Sequence, residues 1–190
     1  FSGIALIGAA VLGILHAAAA RHSALFRSIT FLPFMISPVC LTFGALLAYP
    51  QHAGSLHLLL ALYVLIAYPF VSKDVLSAWD ALPRHYAAAA RTNGANALQT
   101  AWHVLRPLLT PALRRGMTFA AATGIGEFAA TLFLSRPEWQ TLTTLIYEHL
   151  GKVGQENYHK AMVLTFVLMA LAGTVFLCLD QKSGRDGYGQ

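Results

Sequence analysis

Between Arg27 and Lys73 the chain carries no Asp, Glu, Lys or Arg, and residues 1–20 are equally free of them. Such runs constrain the fold more than any motif does. A helix of about 20 residues crosses the roughly 30 Å hydrocarbon core of a bilayer, and each run is long enough to do so. Helices are favoured over a barrel because the runs are continuous, without the alternation that a lipid-facing strand requires. Composition agrees: 56% of the 190 residues are apolar and 11% charged, and the mean hydropathy is +0.56, outside the range of ordinary soluble domains.

The second uncharged run is divided by Tyr49-Pro50-Gln51-His52-Ala53-Gly54, a cluster of turn-forming residues. The sequence therefore predicts an all-α integral membrane bundle with about five spans, at 1–20, 29–49, 54–72, 114–134 and 159–179. These form a single domain over 1–182, followed by a polar cytoplasmic tail at 183–190. A cytoplasmic 73–115 segment, holding the loop at 73–113, would place Arg21, Arg27, Lys73, Arg84, Arg91, Arg106, Arg114, Arg115, Lys182 and Arg185 inside. Arg136, Lys152 and Lys160 would then lie outside, and ten against three follows the positive-inside bias. The net charge of +5 is thus a topology signal, not a nucleic-acid footprint. Phe1 is not Met and no basic leader precedes the first run, so the sequence reads as a fragment lacking upstream residues. Cys40 and Cys178 fall inside predicted spans and read as buried, unreactive thiols.

The basic stretch 86–113 reads YAAAARTNGANALQTAWHVLRPLLTPAL. Pro83 suits the first turn of a helix over 84–93, Gly94 can end it, and Asn96 can cap a second helix through Trp102 and Val104 that Pro107 stops. The alanine run would let the first helix lie close to membrane helices. On the second, Ala97, Ala101 and Val104 share a face, with Leu98 and Leu105 near it and Trp102 as an anchor for a partner groove. An interfacial helix on lipid headgroups is the other reading of the same pattern.

Ala88, Ala89 and Ala90, then Gly94 after three residues, Val104 after nine more and Pro107 beyond it resemble the cytoplasmic loop of binding-protein-dependent ABC importer permeases. That family's loop has Glu-Ala-Ala, Gly, Ile and Leu-Pro at this spacing. Ala88 stands in place of the glutamate and Arg106 in place of the leucine. The resemblance implies an ATPase-coupling loop built on Ala88, Ala89, Ala90, Gly94, Ala97, Trp102, Val104 and Pro107. It also implies a multi-pass protein of the bacterial cytoplasmic (inner) membrane with loop and C-terminus cytoplasmic. Its partners would be ABC ATPase subunits, a periplasmic or surface substrate-binding protein and a second permease half, with no cofactor and no metal. ATP hydrolysis would belong to the separate ATPase. The Leu32-Pro33-Phe34-Met35-Ile36-Ser37-Pro38 segment is similar to the family's second core helix.

Glu127, in Gly124-Ile125-Gly126-Glu127-Phe128-Ala129-Ala130-Thr131, is the one acidic residue inside a predicted span. A carboxylate in hydrocarbon is costly, so it faces protein or a wet cavity. Two roles stay open: a path or gate with Gly126, Phe128 and Thr131, or a carboxylate bonded to a neighbouring helix terminus. The segment resembles one in permeases for oxyanions, iron(III) and thiamine, with the reading leaning to iron(III) or thiamine import over sulfate or molybdate. Trp139, Tyr147 and Tyr158 suit the outer interface, and Glu138, Glu148, His149, Glu156 and His159 lack the tight spacing of metal ligands. No phosphate loop, nucleophile elbow or His-Glu-x-x-His motif is present, so no catalytic residue is assigned. The alternatives are an ion-coupled secondary transporter titrating Glu127 and a membrane scaffold without transport.

Overall fold

A computed structural model describes residues 2–30, 32–83, 85–134 and 136–185, with side chains given for these except at 34 and 178–185. The expected positions of Arg84 and the 183–190 tail, and the side chains of Cys178 and Lys182, lie wholly or partly outside that description. Among the described residues there is no strand.

The order is α1 (Ser2–Ala20), α2 (Ala24–Ile29), α3 (Leu32–Met35), α4 (Pro38–Ala48), a 3₁₀ turn (Pro50–His52), then α5 (Leu56–Ala81) and α6 (His85–Thr92). There follow α7 (Ala97–Thr100), a π turn (Ala101–Leu105), α8 (Arg106–Gly126), α9 (Ala129–Leu134), a 3₁₀ turn (Pro137–Trp139), α10 (Leu142–Leu150) and α11 (Gln155–Arg185). Among the described residues three helices are long and apolar enough to cross a membrane: Ser2–Ala20, Leu56–Ala81 and, in α11, Gln155–Leu177.

The expected span at 29–49 is broken, because Pro33 and Pro38 cut it into α3 and α4. With 11 residues, α4 is about 16 Å long, short of the hydrocarbon thickness. Helix α5 runs nine residues past the predicted limit at 72, since Lys73, Asp74, Ser77 and Asp80 mark a change of polarity and not the end of the helix. Likewise α8 starts at Arg106, ahead of the predicted 114, and the expected 114–134 span is interrupted after Gly126.

Helix α5 is the central element, packed by α1 and α8, whereas α11 rests on α8 and α10 with most of its surface uncovered. The α1 seam is a stripe of small residues four apart, Ala5, Ala9, Gly13 and Ala17, all buried. Small side chains bring backbones close, which is how helices associate where burial from water supplies no drive. Val71 fills the join: a methyl group placed on Gly13 would lie 2.7 Å from its Cβ, and one on Gly116 of α8 would lie 2.7 Å from its Cα. A second cluster near the other end joins Ala5, Leu59, Leu62 and Tyr63 to Ala130 and Leu134 of α9. Helix α4 packs there through Leu41 and Ala45. Cys40 is exposed, contrary to the buried thiol expected, because it lies with Phe43 and Leu47 on the unpacked side of α4.

Candidate functional site: an exposed elbow and a buried helix break

Two interruptions of helix carry the residues singled out by sequence. The first spans 82–105. Helix α6 ends in paired backbone bonds, Ala95 N–H to Ala90 O and Gly94 N–H to Arg91 O, both 3.0 Å. This is a Schellman closure, and it needs the left-handed conformation that Gly94 adopts at φ +82°. Two residues later Asn96 starts α7 with a reciprocal cap: Asn96 Oδ1 accepts from Gln99 N at 2.8 Å and Asn96 N donates to Gln99 Oε1 at 2.9 Å. Bend and cap thus fall where the sequence places them.

Three features of the elbow differ from expectation. The second helix does not stop at Pro107. Residues 101–105 widen into a π turn, Arg106 N–H reaching back to Ala101 O, and the chain continues directly into α8. Proline lacks the donor and crowds the carbonyl four residues before it, and a widened turn relieves both. The alanine run is not packed on membrane helices: no residue of α6 is buried, and its neighbours are α7 and the π turn. The small side chains let α6 fold back on the elbow itself. Finally, the apolar face divides. Val104 and Leu105 are half-buried, while Leu98 (77% exposed) and Trp102 (58% exposed), one turn apart, point away from the protein. The Arg106 guanidinium lies over the Trp102 ring, 4.1 Å from its centroid. Ala88, Ala89 and Ala97 are exposed, and Gly94 and Val104 line a shallow cleft with Asn93, Ala95, Gln99 and His103.

The second interruption lies at Glu127 and Phe128. Glu127 is 8% exposed and sits between α8 and α9, not within a continuous span. Its Oε1 accepts from Ala130 N at 3.1 Å, capping α9. Its backbone carbonyl, at the open end of α8, accepts from Tyr63 Oη at 3.2 Å, Thr143 Oγ1 at 3.3 Å and Thr131 Oγ1 at 3.4 Å. The carboxylate thus bonds the first turn of the helix that follows it in the chain. Thr131 is fully buried, the Phe128 and Tyr147 rings meet at a tilt with centroids 5.3 Å apart, and Gly126 has no neighbour within 4 Å of where a Cβ would stand.

A recess of about 190 Å³ opens beside this break, lined by Ser2, Tyr63, Gly124, Gln140, Thr141 and Leu168 among others. Ser2, Tyr63 and Gly124 also line an apolar cavity of similar size that runs inward past Ala67 and Ala120. Sequence reasoning assigned no role to Tyr63 or Thr141, since Tyr63 is one hydroxyl in an apolar run and Thr141 one of several polar residues at 140–144, and each gains meaning only from packing.

On the adjoining loop Trp139 is partly buried against the second cluster, not free at an interface. Tyr147 and Tyr158 are exposed. Glu148 pairs with Lys152 at 2.6 Å, a bond that holds its carboxyl below the usual range, Glu156 pairs with Lys160, and His149 meets Asn157. Among the described residues no three metal-ligating side chains converge.

The profile of the family described as "Binding-protein-dependent transport system inner membrane component" matches residues 9–181. The chain belongs to that family. It is a family of transport components and not of enzymes, and its description places the chain in the inner membrane, in keeping with the apolar helices. Among curated relatives, the putative 2-aminoethylphosphonate transport system permease protein PhnV of Salmonella typhimurium is 25% identical over 161 residues, covering 83% of this chain and 60% of the relative. The sulfate transport system permease protein CysT of the same organism is 28% identical over 120 residues, covering 63% of this chain and 43% of the relative. The sulfate transport system permease protein CysW of Synechocystis is 26% identical over 178 residues, 85% of this chain and 64% of the relative. The chain thus spans 43–64% of the length of these relatives.

Proposed function

We propose that this chain is the permease subunit of an ABC importer, coupled through the 82–105 elbow to a separate ATPase. The observation that carries this reading is the elbow's construction within a family of binding-protein-dependent transport components. It is locally closed at both ends and exposed, with Leu98 and Trp102 turned outward, and it stands between two helices of the bundle, α5 and α8. An aromatic and an aliphatic side chain one turn apart suit a groove on a soluble partner. Elbow and C-terminus are cytoplasmic in this reading, a second permease half completes the path, and a binding protein delivers substrate to the opposite face. ATP-driven closure of the ATPases shifts the elbow and tips the bundle between inward-open and outward-open populations.

The substrate we propose is a tetrahedral oxyanion, sulfate or a phosphonate. The relatives named above are described as permeases for sulfate and for 2-aminoethylphosphonate, and none carries iron or thiamine in its name, so the leaning toward iron(III) or thiamine is replaced. Among the described residues no carboxylate lines the recess bordered by Ser2, Tyr63, Gln140 and Thr141, which is compatible with an anion, while the Tyr63 hydroxyl and the Gln140 amide already donate to Glu127 O and Glu148 Oε2. For Glu127 we propose the capping role over the gating one.

Replacing Gly94 with proline tests the coupling. Proline cannot adopt φ +82° and would remove the N–H that bonds Arg91 O. Uptake of labelled sulfate or 2-aminoethylphosphonate by cells carrying the complete system is expected to vanish, with the subunit still in the membrane fraction. Undiminished uptake would contradict the assignment.

A further inference from the structure

Two cationic side chains from the end of α1 and from α2 close on consecutive residues in the last turn of α5. Arg27 donates from Nη1 to Asp80 Oδ2 at 2.8 Å and from Nη2 to Asp80 Oδ1 at 2.9 Å, fork to fork. Its Nε donates to Ala20 O at 3.1 Å, so one guanidinium joins the C-terminal end of α1, α2 and α5. Beside it the Arg21 guanidinium stands 4.9 Å from the centroid of the Trp79 ring. Asp80 is the penultimate residue of α5, and α6, the first piece of the elbow, begins at His85.

The chemistry of the contact differs from that of the seam above it. Ala9, Gly13 and Ala17 meet α5 through small apolar surfaces, which fix how near the helices lie but set direction only weakly. A bidentate guanidinium–carboxylate pair fixes both distance and orientation. With side chains 45% and 43% exposed, the pair adds little to overall stability, so its effect is on position. Any displacement of the elbow reaches the bundle on one side through Leu82 and the end of α5, where this contact sits.

We propose that the Arg27–Asp80 fork, backed by Arg21 on Trp79, is a positioning clasp. It makes the α1–α2 turn and the root of the elbow move as one body, so that the elbow's displacement is passed to α1 as well as to α5 and α8. This rests on the coupling reading of the elbow.

The test uses the full chain assembled with its ATPase and binding protein in proteoliposomes. Labelled sulfate and 2-aminoethylphosphonate are the probes, and uptake and ATP hydrolysis are measured together. Arg27→Ala is expected to lower substrate moved per ATP by about fivefold or more, the low end of ordinary coupling between sites. Hydrolysis should continue. Arg27→Lys, which keeps charge without the fork, should fall between, and the exchange of Arg27→Asp with Asp80→Arg should recover part of the ratio. A ratio unchanged in Arg27→Ala, with uptake and hydrolysis falling only in proportion, overturns the clasp. Should Arg27→Ala fail to assemble, the ratio in Arg27→Lys decides: an unchanged value overturns the proposal and a reduced one supports it. Uptake that persists in Gly94→Pro would instead overturn the coupling role of the elbow, whatever the clasp variants do.

Discussion

The elbow at 82–105 and the break at Glu127 are both helix, interruption, helix, yet they are held by opposite means. At the elbow the closing bonds lie within five residues, from Ala95 back to Ala90 and between Asn96 and Gln99, and among the described residues of this stretch only Thr100 is buried. At Glu127 local bonds to Ala130 and from Thr131 are joined by bonds from Tyr63, 64 residues away, and from Thr143, and the interruption is packed inside the bundle. Local closure gives a part whose shape is fixed while its position stays free, as a lever requires. Remote closure ties a part to its surroundings, as a fulcrum requires.

Substitutions can break this contrast, starting with the largest expected effect. Glu127→Ala should strip the cap from α9 and leave the Ala130 N–H buried without a partner, costing about 1–3 kcal/mol. Thermal unfolding of the detergent-solubilised subunit should shift downward, and an unchanged midpoint would mean that the break is not fixed by its carboxylate. Gly94→Ala places a side chain at φ +82°, a strain of about 1–2 kcal/mol confined to the elbow. Nothing lies within 4 Å of the new methyl group, so the same unfolding midpoint should hold while affinity for the ATPase falls. A falling midpoint would show that the elbow is part of the bundle's cooperative unit. Asn96→Ala removes the side-chain acceptor of the reciprocal cap, a loss of about 1 kcal/mol. It should loosen 96–100 in hydrogen exchange and leave the amides of α8 as protected as before. Loss of protection along α8 would show that the π turn does not isolate the two segments.

What could be read beforehand follows the same division. Gly94 and Asn96 were legible because positive φ and capping are chemistry between near neighbours, and the same residues would close the same bend in any protein. The limits of α5 and α8 were not legible, because hydropathy reports where the lipid ends and a helix can project beyond it, as α5 does through Lys73, Asp74 and Asp80. The alanine run was assigned to the wrong partner for a related reason: small residues announce close packing without saying against what.

Acting alone, the sequence determined that this chain is helical and built for a membrane, and that it bends at Gly94. Those properties depend on the apolarity of continuous runs and on bonds between residues a turn apart. Only the tertiary structure decided that Tyr63 closes on the Glu127 carbonyl, that Val71 is held between Gly13 and Gly116, and that Arg27 reaches Asp80 53 positions along the chain. Each depends on which helix faces which, and that is settled by the packing of whole surfaces, a quantity no local stretch of residues contains.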